Sequence, residues 1–157
     1  MIDCRRMTEE SRAGAFALLR IFLSEDAHYL DSSRAYGAGG EAALGEALDL
    51  FLSRPELGFV WLAYENGEPV AVCVVCVATS TSIGAVVAKL DDVFVASGKQ
   101  GRGIGAAHLT GLKAELRRMG VRRIDTSVHV QNHEARRFYE RHGFRSLQEE
   151  RLACVLL

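Results

Sequence analysis

Lys99-Gln100-Gly101-Arg102-Gly103-Ile104-Gly105-Ala106 decides how this chain is read, because the strand-like run Val86 to Val95 precedes it and the helix-like run Gly103 to Met119 follows. Glycines at 101, 103 and 105 let the backbone curl and let a ligand approach its amides. The helix opening there adds unpaired N–H donors and the positive end of its dipole. A phosphate or pyrophosphate suits such a junction, and Lys99 and Arg102 can add charge at its rim. Gly101-x-Gly103-x-x-Ala106 also fits the loose dinucleotide fingerprint, with Asp125 near the place of a ribose-binding acid. Two facts count against that reading. Residues 96–100 separate strand from glycine loop, and only about fifty residues follow, too few for a doubly wound sheet. No Gly-Lys-Ser/Thr follows, so the loop is not a P-loop.

Working outward, Leu109, Leu112, Leu116 and Met119 recur at helical spacing up to Gly120. Arg122 to Val130 alternates as a strand, Asn132 to His142 suits a last helix stopped by Gly143, and the chain from Phe144 predicts one or two closing strands, including Leu152 to Leu157. Upstream, Phe59–Tyr64 and Val70–Val77 read as strands joined by the hairpin turn Glu65-Asn66-Gly67-Glu68. Ile2–Arg6 is a first strand, and Thr8 caps a helix carrying Phe16, Leu19 and Leu23 on one stripe. Ser24–Gly40 reads as a loop or broken helix, and Glu41–Leu52 as a second helix ending before Pro55. The strand-helix-strand unit from Val86 to Val130 requires a parallel crossover, and the earlier strands suit antiparallel pairing. The expected fold is α/β in the α+β sense. It is a mixed, mostly antiparallel sheet of six to seven strands with helices on both faces, forming one domain over residues 1–157.

The 157 residues are 48% hydrophobic and 25% charged, as in an ordinary globular domain, and the net charge of −1 gives no global field favouring nucleic acid or an anionic membrane. The longest apolar run, Val70 to Ala78, is too short to span a bilayer, and charges at Arg5, Arg6, Glu9, Glu10 and Arg12 interrupt any signal-peptide core. The cytoplasm is the expected location. Cys73 and Cys76 form a C-x-x-C spacing inside a strand, where odd spacing sends the thiols to opposite faces. With no second close pair the cysteines read as small hydrophobes, and no metal is expected.

Two blocks then resemble a known family. Gln100-x-x-Gly103-x-Gly105 resembles the acyl-CoA loop of the GNAT N-acetyltransferases, and Asn132 to Phe144, with Ala135, Phe138-Tyr139 and Gly143-Phe144, resembles that family's second signature. The resemblance is strongest from Lys89 to Phe144. It implies strands that splay apart after Val95 and Val130, with the pantetheine arm of acetyl-CoA in the gap. It also implies that backbone groups of Val93, Phe94 and Val95 bind that arm and that Gln100, Gly101, Arg102, Gly103, Ile104, Gly105 and Ala106 hold the pyrophosphate. Asn132 would contact the arm, and Tyr139 would act as general acid near the sulfur. The turn Ala96-Ser97-Gly98-Lys99 lacks the proline common there. The family often dimerises through terminal strands, and apolar Leu152–Leu157 suits a homodimer.

Acetyl transfer from a thioester to an amine requires removal of an ammonium proton, donors for an oxyanion and a proton for the departing thiolate. Tyr139 can supply that last proton, although it also lies on a helical stripe with Ala135, Phe138 and His142 that suits packing. Strand alternation in Leu90-Asp91-Asp92-Val93-Phe94-Val95 places Asp91 on one face with Val93 and Val95, with Asp92 opposite. Adjacent carboxylates weaken a strand and are costly to bury, and the segment resembles the corresponding strand of diamine N-acetyltransferases. Asp91 is therefore the expected base, directly or through water, with a structural ion pair as the other reading. Asp92, Tyr29, Asp31 and Tyr36 are expected to receive a cationic amine, such as a polyamine, an aminoglycoside or a lysine side chain, by charge and aromatic faces. His129 can touch the same pocket. His28, His108, His133 and His142 read as surface or helix-face residues without a role. A catalytically silent CoA-binding module of the same fold is the alternative function, and a nucleotide-dependent oxidoreductase the less favoured one.

Overall fold

Strand β1 (Ile2–Arg6) leads into three helices, α1 (Arg12–Glu25), α2 (Ala27–Tyr36) and α3 (Gly40–Ser53). A 3-10 turn at Pro55–Leu57 opens β2 (Gly58–Glu65), followed by β3 (Glu68–Ser80), β4 (Ala85–Val95), α4 (Ile104–Arg118), β5 (Ile124–Thr126) and α5 (His133–Arg141). This computed structural model describes residues 1–37 and 39–156, and of residues 35 and 36 the backbone alone. The sheet runs β1-β2-β3-β4-β5 in chain order. Its first three pairings are antiparallel, and β4 with β5 is parallel, as the α4 crossover demands. The hairpin between β2 and β3 turns on Asn66 (φ 52°) and Gly67 (φ 79°), the positive-φ pair its sequence predicts.

Helices cover both faces, so β2 is buried along nearly its whole length. Phe59, Trp61, Cys73, Val75 and Leu90 face Leu109, Leu112 and Leu116 of α4, together with Tyr139 of α5. The alternate residues Val60, Leu62 and Val72 face Leu18 and Leu19 of α1 and Leu44 and Leu48 of α3. Period-two alternation of this kind divides one strand between two cores.

Three expectations need correction, and one reading left between two alternatives is resolved. First, the sheet has five strands among the described residues, against the six to seven expected. Residues 144–156 form no strand, and β5 is confined to Ile124–Thr126 within the longer run read as a strand. Val130, Leu152 and Leu156 are 86%, 88% and 91% exposed, and strand propensity counts only where a pleated surface is partly buried against a neighbour. Second, Ser11 rather than Thr8 stands at the N-cap of α1, with the Thr8 amide donating to Ser11 Oγ at 2.8 Å. Third, of the two readings of Ser24–Gly40 the broken helix holds, since α1 ends at Glu25 and α2 begins where Asp26 accepts from the Tyr29 amide at 2.9 Å.

Fourth, His108 is no surface residue. It is 2% exposed, its Nε2 lies 3.0 Å from the Trp61 carbonyl, and Trp61 Nε1 donates back to the His108 carbonyl at 3.1 Å. Burial pulls the imidazole down to about 4 against that hydrogen bond, so it is neutral in the folded protein.

Candidate active site

Strands β4 and β5 are paired only from Ala88–Ile124 to Leu90–Thr126. Beyond that rung they part, and the β5-facing edge of Asp91–Val95 has no strand paired to it while the other edge still pairs with β3. Tyr139 stands at the fork. Its hydroxyl is paired with that of Thr126, whose Oγ1 donates to the Leu90 carbonyl at 2.8 Å. Burial raises the Tyr139 phenol, which therefore keeps its proton throughout the neutral range.

The glycine loop caps the same end of the fork. Gly101 and Gly103 adopt φ 75° and 79°, and a Cβ on either would meet nothing within 4 Å, so the space beside their Cα atoms is open. At Gly105 a Cβ would stand 3.3 Å from Phe138 Cε1 and 3.7 Å from Val95 Cγ2, so the missing side chain lets α4 seat against α5 and β4. The rim cations are engaged. Lys99 Nζ and Arg102 Nη2 reach Glu65 Oε1 and Oε2 at 3.0 and 3.1 Å, and the Lys99 bond, assisted by the Arg102 charge, holds the Glu65 carboxyl below the usual range. Two cations on one carboxylate tie the loop to the end of β2 and leave net positive charge beside the first amides of α4. Gln100 Nε2 donates to the Val95 carbonyl at 3.1 Å. Asn132 caps α5 by accepting from the Ala135 amide at 3.1 Å.

The acid pair departs from simple alternation. Val72 pairs with Phe94 and Val74 with Asp91, so both Asp92 and Val93 lie opposite Cys73. This is a β-bulge, and Asp92 absorbs it at φ 53°. The extra residue reverses the expected facing. Asp91 lies with Val74 on the α1–α3 side, and Phe94 packs into that core, whereas Val93 packs on the α4 side and Val95 against Ile104. Asp91 and Asp92 consequently line one cavity, of about 390 Å³, between α1 and α3. Asp91 pairs with Lys89 at 3.1 Å. Asp92 is pushed up to about 6, mainly by burial and then by the Asp91 charge, with Lys89 and Arg151 opposing.

Tyr29 lines this cavity, its ring 5.7 Å from that of Phe22. Asp31 does not line it. Its carboxylate accepts from His129 Nε2 at 2.7 Å, the bond that chiefly lowers its pKa, and His129 also stacks on His28 at 5.0 Å. The Gln131 amide donates to His129 Nδ1, so both ring nitrogens are occupied in tying α2 to the loop before α5. The Tyr36 side chain lies outside the described residues. The sequence reading missed Arg151, whose surroundings carry no motif, and the apolar wall of Leu19, Leu23, Leu44, Leu48 and Phe51, which periodicity marks only as core. Among the described residues no cluster could hold a metal, and no helix is long and apolar enough to cross a membrane.

Comparison with known proteins follows the same lines. The model of the acetyltransferase (GNAT) family matches residues 23–144. An integron cassette protein from the mobile metagenome of Cole Harbour Salt Marsh superposes with a TM-score of 0.78 at 25% identity, over 98% of this chain and 90% of that one. A predicted acetyltransferase with acetyl-CoA from Clostridium acetobutylicum gives 0.74 at 16% identity, over 98% and 96%. AAC(6')-Iy in complex with the bisubstrate analogue CoA-S-monomethyl-acetylneamine gives 0.73 at 16% identity, over 100% and 99%. No curated protein matches in sequence.

Proposed function

The chain belongs to the GNAT acetyltransferase family, and on that premise we propose that it moves the acetyl group of acetyl-CoA to a primary amine by direct attack. The observation that carries the reading is the fork. The unpaired edge of Asp91–Val95 lies between an open glycine loop at the α4 N-terminus and a cavity floored by two carboxylates. These residues fit acetyl-CoA. The amides of Gly101 to Ala106 offer donors and a positive helix end to its pyrophosphate. Gln100 and Arg102 brace that loop, and the backbone of Val93, Phe94 and Val95, free of a strand on the β5 side although Gln100 donates to the Val95 carbonyl, suits an amide-bearing arm. Asn132, whose side chain caps α5, is assigned to the arm on the family resemblance.

Bound there, acetyl-CoA supplies a thioester carbonyl and a thiolate leaving group. Asp92 is the better-equipped base. At about 6 it is a stronger base than an ordinary aspartate and is ionised at neutral pH, so it can accept the ammonium proton directly or through water. The sequence reading gave that role to Asp91. Its bond to Lys89 and its place beside Asp92 support a role in attracting the amine and raising its neighbour's basicity. Tyr139, held protonated, donates its hydroxyl proton toward the departing sulfur and regains a proton, released from the amine, through solvent. Tyr29 presents an aromatic face to the amine. One sheet with helices on both faces accounts for the described residues, which supports reading residues 1–157 as one domain. Four free thiols and the need for acetyl-CoA support a cytoplasmic location.

The test is calorimetric titration of acetyl-CoA, followed by thiol release with a panel of primary amines. Wild type should bind and turn over. Tyr139→Phe should bind acetyl-CoA unchanged and lose about a hundredfold in kcat. Binding without turnover on any amine would reject the enzyme reading in favour of a silent CoA-binding module.

A further inference from the structure

Resting on the reading that the cavity beside Asp91 and Asp92 receives the acceptor, we propose that the acceptor is a monoamine on an apolar body, an arylalkyl or alkyl primary amine, rather than a polyamine or aminoglycoside. The cavity wall carries the argument. Leu19, Leu23, Leu44, Leu48, Phe51 and Val74 line it, and the carboxylates of Asp91 and Asp92 belong to its β4 side. Such a cavity offers carboxylates on β4 and an apolar stretch from α1 and α3, where the one carboxylate, Glu41, already has Arg20 at 3.7 Å. An amine placed with nitrogen at the acids and carbon along the leucines satisfies both, whereas a second ammonium would lie against hydrocarbon, where an unpaired charge is very costly.

Charge complementarity agrees. The charged lining residues are Glu41, Asp91 and Asp92 against Arg20 and Arg151, and Glu41 is matched by Arg20 at 3.7 Å. With Lys89 on Asp91 at 3.1 Å, Arg151 acting on Asp92 and Arg20 on Glu41, the lining has no run of unmatched carboxylates to hold a second or third ammonium. A polyamine or aminoglycoside brings several, and the two arginines would repel the surplus. Size agrees as well. A cavity of about 150 Å³ suffices for benzene, so about 390 Å³ admits a phenyl ring with an alkyl linker.

The experiment is calorimetric titration of 2-phenylethylamine, 4-phenylbutylamine and spermidine into the CoA-saturated protein, repeated with Ala47→Phe, which fills the cavity from α3. Phenylbutylamine should bind more tightly than phenylethylamine, by about fourfold for each added methylene, and spermidine more weakly than either. Ala47→Phe should weaken phenylbutylamine at least tenfold while acetyl-CoA affinity, the check on folding, stays unchanged. Spermidine binding as tightly as phenylbutylamine, no gain with chain length, or no effect of Ala47→Phe would each overturn the proposal. Thiol release separates the two readings. A monoamine bound but never acetylated would fail the transferase reading and leave the ligand class standing, whereas acetylation of spermidine without monoamine binding would do the reverse.

Discussion

Asp92 and His108 pull the pH dependence of stability in opposite directions. Asp92 titrates at about 6 in the fold against 3.8 for the free side chain, so between those values the folded state holds the extra proton and stability falls as pH rises. His108 titrates at about 4 against 6.5, so the unfolded state holds the extra proton and stability falls as pH drops. Each shift corresponds to up to about 3 kcal/mol, less for half-buried Asp92, which solvent in the cavity screens. From pH 4 to 6 the two slopes cancel, so urea denaturation of wild type should give a flat profile there from this pair. Asp92→Asn tolerates the same positive φ, and should expose the His108 limb, with stability rising with pH. His108→Gln should expose the Asp92 limb, with stability falling. Unchanged profiles in both variants would show that neither group titrates as its surroundings require.

The glycine loop acts as an element, because its amides are useful only if its curl is kept. Gly103 sits at φ 79° as the N-cap of α4. Gly103→Ala meets no atom but strains the backbone, at a cost of about 1–2 kcal/mol. Urea denaturation should show that loss, and calorimetry should show acetyl-CoA binding at least tenfold weaker as the first amides of α4 turn away. An unchanged affinity would remove the loop from the pyrophosphate site. This junction was legible in the sequence, since strand, glycines and helix each announce themselves locally, and so were the three long strands and the Asn66-Gly67 hairpin. The facing of Asp91 was not. Strand alternation presumes one residue per rung, and the bulge at Asp92 adds one without any glycine to mark it. The cavity was equally hidden, because Leu19, Leu44 and Leu48 have the same spacing whether a helix meets protein or a ligand.

At the scale of the whole molecule, the unexplained surface is the segment after α5. Leu147, Leu152, Val155 and Leu156 expose 64%, 88%, 55% and 91% of their area, and the outer edge of β5 has no strand beside it among the described residues. Exposed apolar side chains close together in sequence and an open sheet edge each mark an association surface. We therefore expect light scattering to give a homodimer, and Leu152→Asp with Leu156→Asp to give a monomer with wild-type circular dichroism. A wild-type chain that stays monomeric at all concentrations would remove the basis for a dimer. Association would also reach the active site, because Arg151 lies on this segment and lines the cavity beside Asp92. If the dimer fixes that segment, releasing it removes one cation from the acceptor cavity. The double variant should then change KM for the amine, with acetyl-CoA affinity constant, since the glycine loop lies on α4 and makes no use of the tail. An unaltered KM in a confirmed monomer would show that Arg151 is held by its own chain alone.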